Sequence, residues 1–191
     1  MVNLSDREIS AAIIEACRSG DVSSRRDAFR ALYDVYKDRV YSIALYFFHG
    51  DAAVASDVTQ QVFLKLITNI GQFRGDAEFS TWLHRLVVNA CMDNARRRKP
   101  EIVPERARME AIVGPDSPER DYERTQMAKS VQAAVAAMPA KFRIAVLLRY
   151  FEDLSYEQMA KALQCSMGTV ASRLNRGHRM LAERLKELGG K

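Results

Sequence analysis

FRGDAEFSTWLHRLVVNACMDNARRR, residues 73–98, decides how this chain is read. A loop that carries Gly75 and ends in aromatics runs into an amphipathic helix that finishes in three consecutive arginines. Leu83, Leu86, Val87 and Ala90 recur at helical spacing and give the segment one apolar face. His84, Arg85, Asn89, Met92 and Arg96 fall on other faces, and Arg96, Arg97, Arg98 and Lys99 crowd the last turn. A helix with one side buried and a polar, basic side in water can lie along a phosphate backbone. The same cluster also suits the negative end of a helix dipole, so a plain C-terminal cap is the competing reading.

What weighs against the plain cap is a second module of the same character at residues 154–186, LSYEQMAKALQCSMGTVASRLNRGHRMLAERLK. Ser155 followed by Gln158 predicts a capped helix start, and Met159, Ala160 and Leu163 give the short helix an inner face. Gln164 and Cys165 break the pattern and Ser166 offers a second cap. Val170, Leu174, Met180, Leu181 and Leu185 then mark a longer helix. Two helices joined by a tight turn, with small Ala160 at the crossing, make a helix-turn-helix. The outer face of the second helix carries Ser166, Thr169, Ser172, Arg173, Arg176 and Arg179, with no acid until Glu183. An ordinary helical hairpin with a solvated basic face is the alternative.

With two DNA-facing helices in one small chain, the sequence resembles the extracytoplasmic-function (group four) sigma factors of bacterial RNA polymerase. The resemblance runs over nearly the whole chain. DVTQQVF (57–63) is similar to the family's polymerase-binding motif and FRGDAEFSTWL (73–83) to its melting loop. NACMD (89–93) with Arg96 resembles the end of the promoter-reading helix, and LSYEQMA (154–160) with GTVASR (168–173) resembles the family's helix-turn-helix. The resemblance implies an all-α fold of two small helical domains joined by a flexible linker. Residues 1–99 would bind core polymerase and recognise and melt the minus-ten element, 100–120 would be the linker, and 121–191 would read the minus-thirty-five element. It further implies a sigma factor answering a stress or envelope signal, with core polymerase, promoter DNA and an anti-sigma factor as partners.

Composition agrees. The chain has 191 residues, 48% hydrophobic, and a net charge of +5, enough for one large or two small domains. Residues 125–191 hold 11 Lys/Arg against 5 Asp/Glu, whereas 101–124 hold 4 against 7. The C-terminal third is therefore the electrostatic candidate for duplex binding. Cys17, Cys91 and Cys165 lie far apart and no Cys/His cluster occurs, so neither a disulfide framework nor a metal or cofactor site is expected. His49, His84 and His178 read as surface or groove residues. No signal-like start and no membrane-length apolar run is present, so a reduced, cytoplasmic protein without membrane insertion is expected.

Helical patterns run over about 6–18, about 24–48 and about 52–70. The second has Phe29, Leu32, Tyr33, Tyr36, Val40, Ile43, Ala44 and Phe47 inside, and the third has Val54, Val58, Val62, Leu66 and Ile70. Four of the five prolines fall in 100–120, which makes that stretch a linker. On 52–70 the inward stripe leaves Asp57, Gln60, Gln61, Leu64 and Lys65 partly or wholly outward; a solvated face is the default, and the resemblance makes it the polymerase contact. Gln61 stands where relatives commonly have glutamate.

In the loop, Arg74, Gly75, Asp76, Ala77, Glu78, Phe79 and Ser80 form the expected reading surface for an extruded minus-ten base. Arg85, Asn89 and Arg96 hold the adjoining duplex. Phe79 and Trp82 are expected to lie mainly in the core behind that surface. The alternative function is a dimeric helix-turn-helix regulator that is not a polymerase subunit; it has no use for an aromatic melting loop. No nucleophile–base pair, phosphate loop or metal signature points to an enzyme.

Overall fold

A computed structural model describes residues 13–17, 21–73, 75, 78–98, 128 and 130–189, and all regular elements among them are helical. The expected first helix is seen only over 13–17, and the expected linker at 100–120 lies outside the described residues.

Helix α1, Val22–Phe47, starts where the Asp21 carboxylate accepts the Ser23 and Ser24 backbone N–H groups at 3.3 and 3.2 Å. Those N–H groups have no partner inside the helix, so the cap satisfies them. It ends in a left-handed turn, with His49 at φ 61° and Gly50 at φ 84°. Asp51 then caps α2, Ala52–Asn69, by accepting the Val54 N–H at 3.0 Å. A 3-10 turn, Ile70–Gln72, leads out of α2 one residue earlier than the sequence pattern suggests. Helix α3 spans Phe79–Arg97. Beyond a helical stretch at 130–136, the second module comprises α4 (Ala140–Tyr150), α5 (Tyr156–Leu163) and α6 (Met167–Gly189).

The expected apolar stripes fold inward with two exceptions. Leu32, Tyr36, Val40, Ile43, Ala44 and Phe47 of α1 are buried, as are Val54, Val58, Val62, Leu66 and Ile70. Phe29 is only half-buried and Tyr33 is 46% exposed, its ring resting edge-on against Phe63 at 4.8 Å.

The two modules share one core. Residues of α1 to α3 form a single buried cluster with Ile144, Leu148, Met159, Ala162, Val170 and Leu174. Helix α3 packs on α5, and α1 packs on α4. Arg143 of α4 reaches across, donating from Nη1 to the Phe47 carbonyl at 2.7 Å and from Nη2 to the Ala136 and Met138 carbonyls at 2.8 and 2.6 Å. A cation is favoured at the end of α1, where helix carbonyls lack partners. Burial lowers the Arg143 pKa to about 10, so it stays charged at neutral pH.

Gly177 marks the closest approach within the second module. A Cβ there would stand 2.9 Å from Val146 Cγ2, whereas one at Gly168 would meet nothing nearer than 3.9 Å. Gly177→Ala should therefore destabilise the chain by about 1–3 kcal/mol through overpacking. Gly168→Ala should be neutral or stabilising by up to about 1 kcal/mol, from helix propensity. Thermal unfolding followed by circular dichroism distinguishes them, because the two melting temperatures should move in opposite directions or only the first should move.

Candidate nucleic-acid interface

Helix α3 is held on most of its circumference. Phe79, Trp82, Leu83, His84, Leu86, Val87, Val88, Ala90 and Cys91 are buried, more than one amphipathic stripe would bury. What remains in solvent is a strip on its outer side and the last turn. Asn89 and Arg96 are exposed and Arg85 is half-buried. Arg96 is 3.5 Å from Asp93, an exposed pair that leaves its guanidinium available.

The basic last turn divides in function. Arg98 is the C-cap residue and donates to Asp51 at 3.2 Å, tying the end of α3 to the start of α2. The cap reading thus holds for Arg98, while Arg96 and Arg97 remain in water.

Within the loop, the described positions are Phe73, Gly75, Glu78, Phe79 and Ser80; Arg74, Asp76 and Ala77 lie outside the described residues. Gly75 has φ 79°, a conformation a side chain would strain, and both Gly75 and Glu78 are exposed. The Phe79 ring is 4% exposed and packs among Phe73, Trp82 and Tyr36, at centroid distances of 5.7, 5.8 and 5.5 Å. It therefore backs the loop from within and does not itself present a surface to a base.

The second module is a helix-turn-helix built from its caps. The Ser155 hydroxyl accepts the Gln158 N–H at 3.2 Å, and the Gln158 side chain returns the bond to the Ser155 N–H at 2.9 Å. Gln164 closes α5 in the left-handed region at φ 50°, and Ser166 starts α6 by accepting the Thr169 N–H at 3.2 Å. At the crossing, Met159, Ala162 and Val170 are fully buried. Ala160 and Leu163 are half-buried and packed against the same core. Along α6, Ser166, Ser172, Arg176 and Arg179 are exposed, and Thr169 and Arg173 half-buried. This row presents guanidinium and hydroxyl donors on one side of a rigid helix, which suits phosphates and base edges.

On α2, Asp57 and Gln60 are exposed and Leu64 is 58% exposed beside Ile67 at 47%. Gln61 and Lys65 are half-buried. The Gln61 side-chain oxygen accepts from Asn94 at 3.0 Å, and Lys65 lies 3.7 Å from Asp93. The five predicted positions thus form one face, joined at its edge to α3.

The residue that sequence reasoning misplaced is His84. It is 3% exposed, and its Nε2 lies 2.8 Å from Glu152, which also pairs with Arg39. Burial pushes the Glu152 carboxyl up, but the His84 hydrogen bond and the Arg39 charge outweigh it, and its pKa falls below the usual range. No local pattern announces a partner 68 residues away. His49 is half-buried, with burial and Arg143 lowering its pKa to about 4; His178 is exposed and bonds Tyr150 at 2.8 Å. The cysteines are free, and burial raises the Cys91 thiol to about 12. Among the described residues no His/Cys/Asp/Glu group could hold a metal, and no helix is long and apolar enough to cross a membrane.

Comparison with known proteins agrees with this arrangement. The Sigma-70 region 2 model matches residues 32–101, and the Sigma-70, region 4 model matches residues 128–181. The chain is 34% identical to the RNA polymerase sigma-H factor of Pseudomonas aeruginosa, across 95% of this chain and 96% of that protein. It is 33% identical to the ECF RNA polymerase sigma factor SigE of Mycolicibacterium smegmatis, across 96% of this chain and 70% of that one. In fold it is similar to CnrH, solved in complex with the cytosolic domain of CnrY, with a TM-score of 0.66 at 21% identity over 95% of this chain and 97% of that one. The chain belongs to the sigma-70 family of RNA polymerase sigma factors, in its extracytoplasmic-function group.

Proposed function

We propose that this chain directs core RNA polymerase to promoters by two DNA contacts made from separate stretches of the sequence. The observation that carries this is the pair of nucleic-acid-facing helices, α3 and α6. Each buries its apolar side and leaves basic and amide side chains in solvent. Residues 1–99 form the unit that binds core and opens the minus-ten element, 100–120 the connection, and 121–191 the reader of the minus-thirty-five element. The α2 face of Asp57, Gln60, Gln61, Leu64 and Lys65 meets polymerase. Arg85, Asn89 and Arg96 follow the duplex beside the melted base, and the loop from Arg74 to Ser80 takes that base. Ser166, Thr169, Ser172, Arg173, Arg176 and Arg179 lie in the major groove. An anti-sigma partner is supported by the family and by a structural neighbour, the sigma factor RpoE solved with the anti-sigma factor NepR from Bartonella quintana.

The chain makes and breaks no bond; it works in the cytoplasm as a recognition subunit. Opening a promoter without ATP requires that unstacking, a few kcal/mol per extruded base, be offset by binding that base. The packed aromatic cluster of Phe73, Phe79 and Trp82 gives the loop a fixed backing for such capture.

Three outcomes test the assignment. Asp57→Arg and Leu64→Glu replace exposed side chains, so the fold should persist while binding to core weakens by about tenfold or more. Co-elution with core and circular dichroism check this, and unchanged co-elution of a folded variant would remove the α2 face. Arg176→Ala should reduce holoenzyme affinity for promoter duplex by about 1–3 kcal/mol if the guanidinium is bidentate to a base. A uniform loss on all sequences, measured by fluorescence anisotropy, would reassign it to phosphate. Asp76→Ala with Glu78→Ala should spare core binding but abolish permanganate reactivity at the minus-ten thymines. Run-off yield should return on a template pre-melted there, and normal reactivity would leave the loop a structural role only.

A further inference from the structure

Gly177 breaks a local rule. It is buried midway along α6, and an interior glycine weakens a helix relative to alanine because it gives up more backbone freedom on folding. A residue that weakens its own helix calls for a compensating gain elsewhere. The gain here is proximity to α4: a Cβ at Gly177 would stand 2.9 Å from Val146 Cγ2 and 4.0 Å from the Phe142 carbonyl oxygen. The next residue, His178, grips the same helix. Its Nε2 lies 2.8 Å from the Tyr150 hydroxyl, and the two rings meet edge-on at 5.6 Å. Two successive residues of α6 thus fasten it to α4, one by having no side chain and the other by a directional bond. Met180 and Leu181 follow, packed against Met138, Phe142 and Val146.

The arginines of the outer face bracket this contact. Arg173 lies one turn before Gly177, Arg176 adjoins it and Arg179 follows it. Toward its start α6 is held differently, through Val170 and Leu174, 0% and 1% exposed in the core it shares with α5. The helix therefore has two supports, and α4 supplies the second. We propose that Gly177 is a positioning residue for promoter reading: by admitting α6 against Val146 it fixes the tilt at which Arg176 and Arg179 meet the major groove, and through that tilt the bases that are preferred. This rests on the promoter reading above.

Magnitude decides what such a tilt affects. Carbon atoms pack at about 3.5–4.0 Å, so a methyl group at Gly177 forces the backbone back by about 1 Å. Val170 and Gly177 are about 10 Å apart along the helix, so most of that shift reaches Arg176, and it grows toward Arg179. A bidentate bond to a base edge survives over only a few tenths of an ångström in donor–acceptor distance. Phosphate contact is governed by charge and tolerates the displacement, because flexible arginines follow it. Displacing α6 therefore costs discrimination between sequences and spares their common affinity.

The test uses holoenzyme assembled from the full chain and core polymerase, at a temperature where circular dichroism shows each variant folded. Sequences are enriched from a duplex pool randomised at the minus-thirty-five position. The duplex that the unsubstituted protein enriches is then compared with a scrambled one by competition anisotropy. Gly177→Ala should lower the enriched-to-scrambled affinity ratio about tenfold and change the enriched sequence. Affinity for scrambled duplex and its salt slope should stay as they are. Val146→Ala removes the methyl groups that the new Cβ would meet. Alone it should leave the ratio in place, and with Gly177→Ala it should return most of it. Tyr150→Phe deletes a hydroxyl at a position that is 65% exposed, so the fold persists. There the ratio should fall by a smaller factor, and this variant carries the test where Gly177→Ala does not fold.

An unchanged ratio in folded Gly177→Ala, or in Tyr150→Phe where the former does not fold, would overturn the positioning role. So would an equal loss on every duplex, which leaves Gly177 a stabilising contact only, and so would a double variant without recovery. An unsubstituted holoenzyme that enriches no minus-thirty-five sequence would instead overturn the promoter reading, and the positioning role with it.

Discussion

Helix α3 is enclosed by α1 and α2 on one side and by α5 on the other, and most of the molecule's arrangement follows from that enclosure. Burying a Leu, Val or Phe side chain contributes about 1.5–3 kcal/mol, and all residues from Phe79 to Cys91 except Ser80, Arg85 and Asn89 are buried. The helix therefore cannot turn about its axis. Its exposed strip, with Arg85, Asn89 and Arg96, is aimed by the packing of everything opposite. A reading surface held this way does not need to be ordered when DNA arrives, and that saves the entropy that a free loop would lose.

The same enclosure explains why a charged cluster lies inside a largely apolar joint. Once α3 is covered on a second side, His84 has no route to solvent, and an imidazole left without a partner there is costly. Glu152 answers it, and Arg39 answers Glu152 from the edge, where 38% of its side chain remains exposed. Arg143 does similar work at the end of α1, satisfying carbonyls from both modules. Directional polar contacts set the register in which two apolar faces meet, a thing that apolar contact alone does poorly.

Much of the candidate site was legible in the chain because it depends on local chemistry. The capping box at Ser155 and Gln158, the second cap at Ser166 and the basic row of α6 all need only residues three or four apart, and each stands as expected. The outward set on α2 was legible for the same reason. Tyr33 was misjudged because periodicity says which side of a helix is apolar but not how fully each position on it is covered.

By itself the sequence determined most of the helical elements, the caps at Ser155 and Ser166, and the separation of basic readers in two stretches of the chain, because these rest on spacing within one or two turns. Only the tertiary structure decided that the modules share a core and that His84 is an interior partner of Glu152. Those outcomes depend on which surfaces meet across long stretches of chain. Burial on a second face leaves no periodic trace when the residue concerned is as ambivalent as histidine.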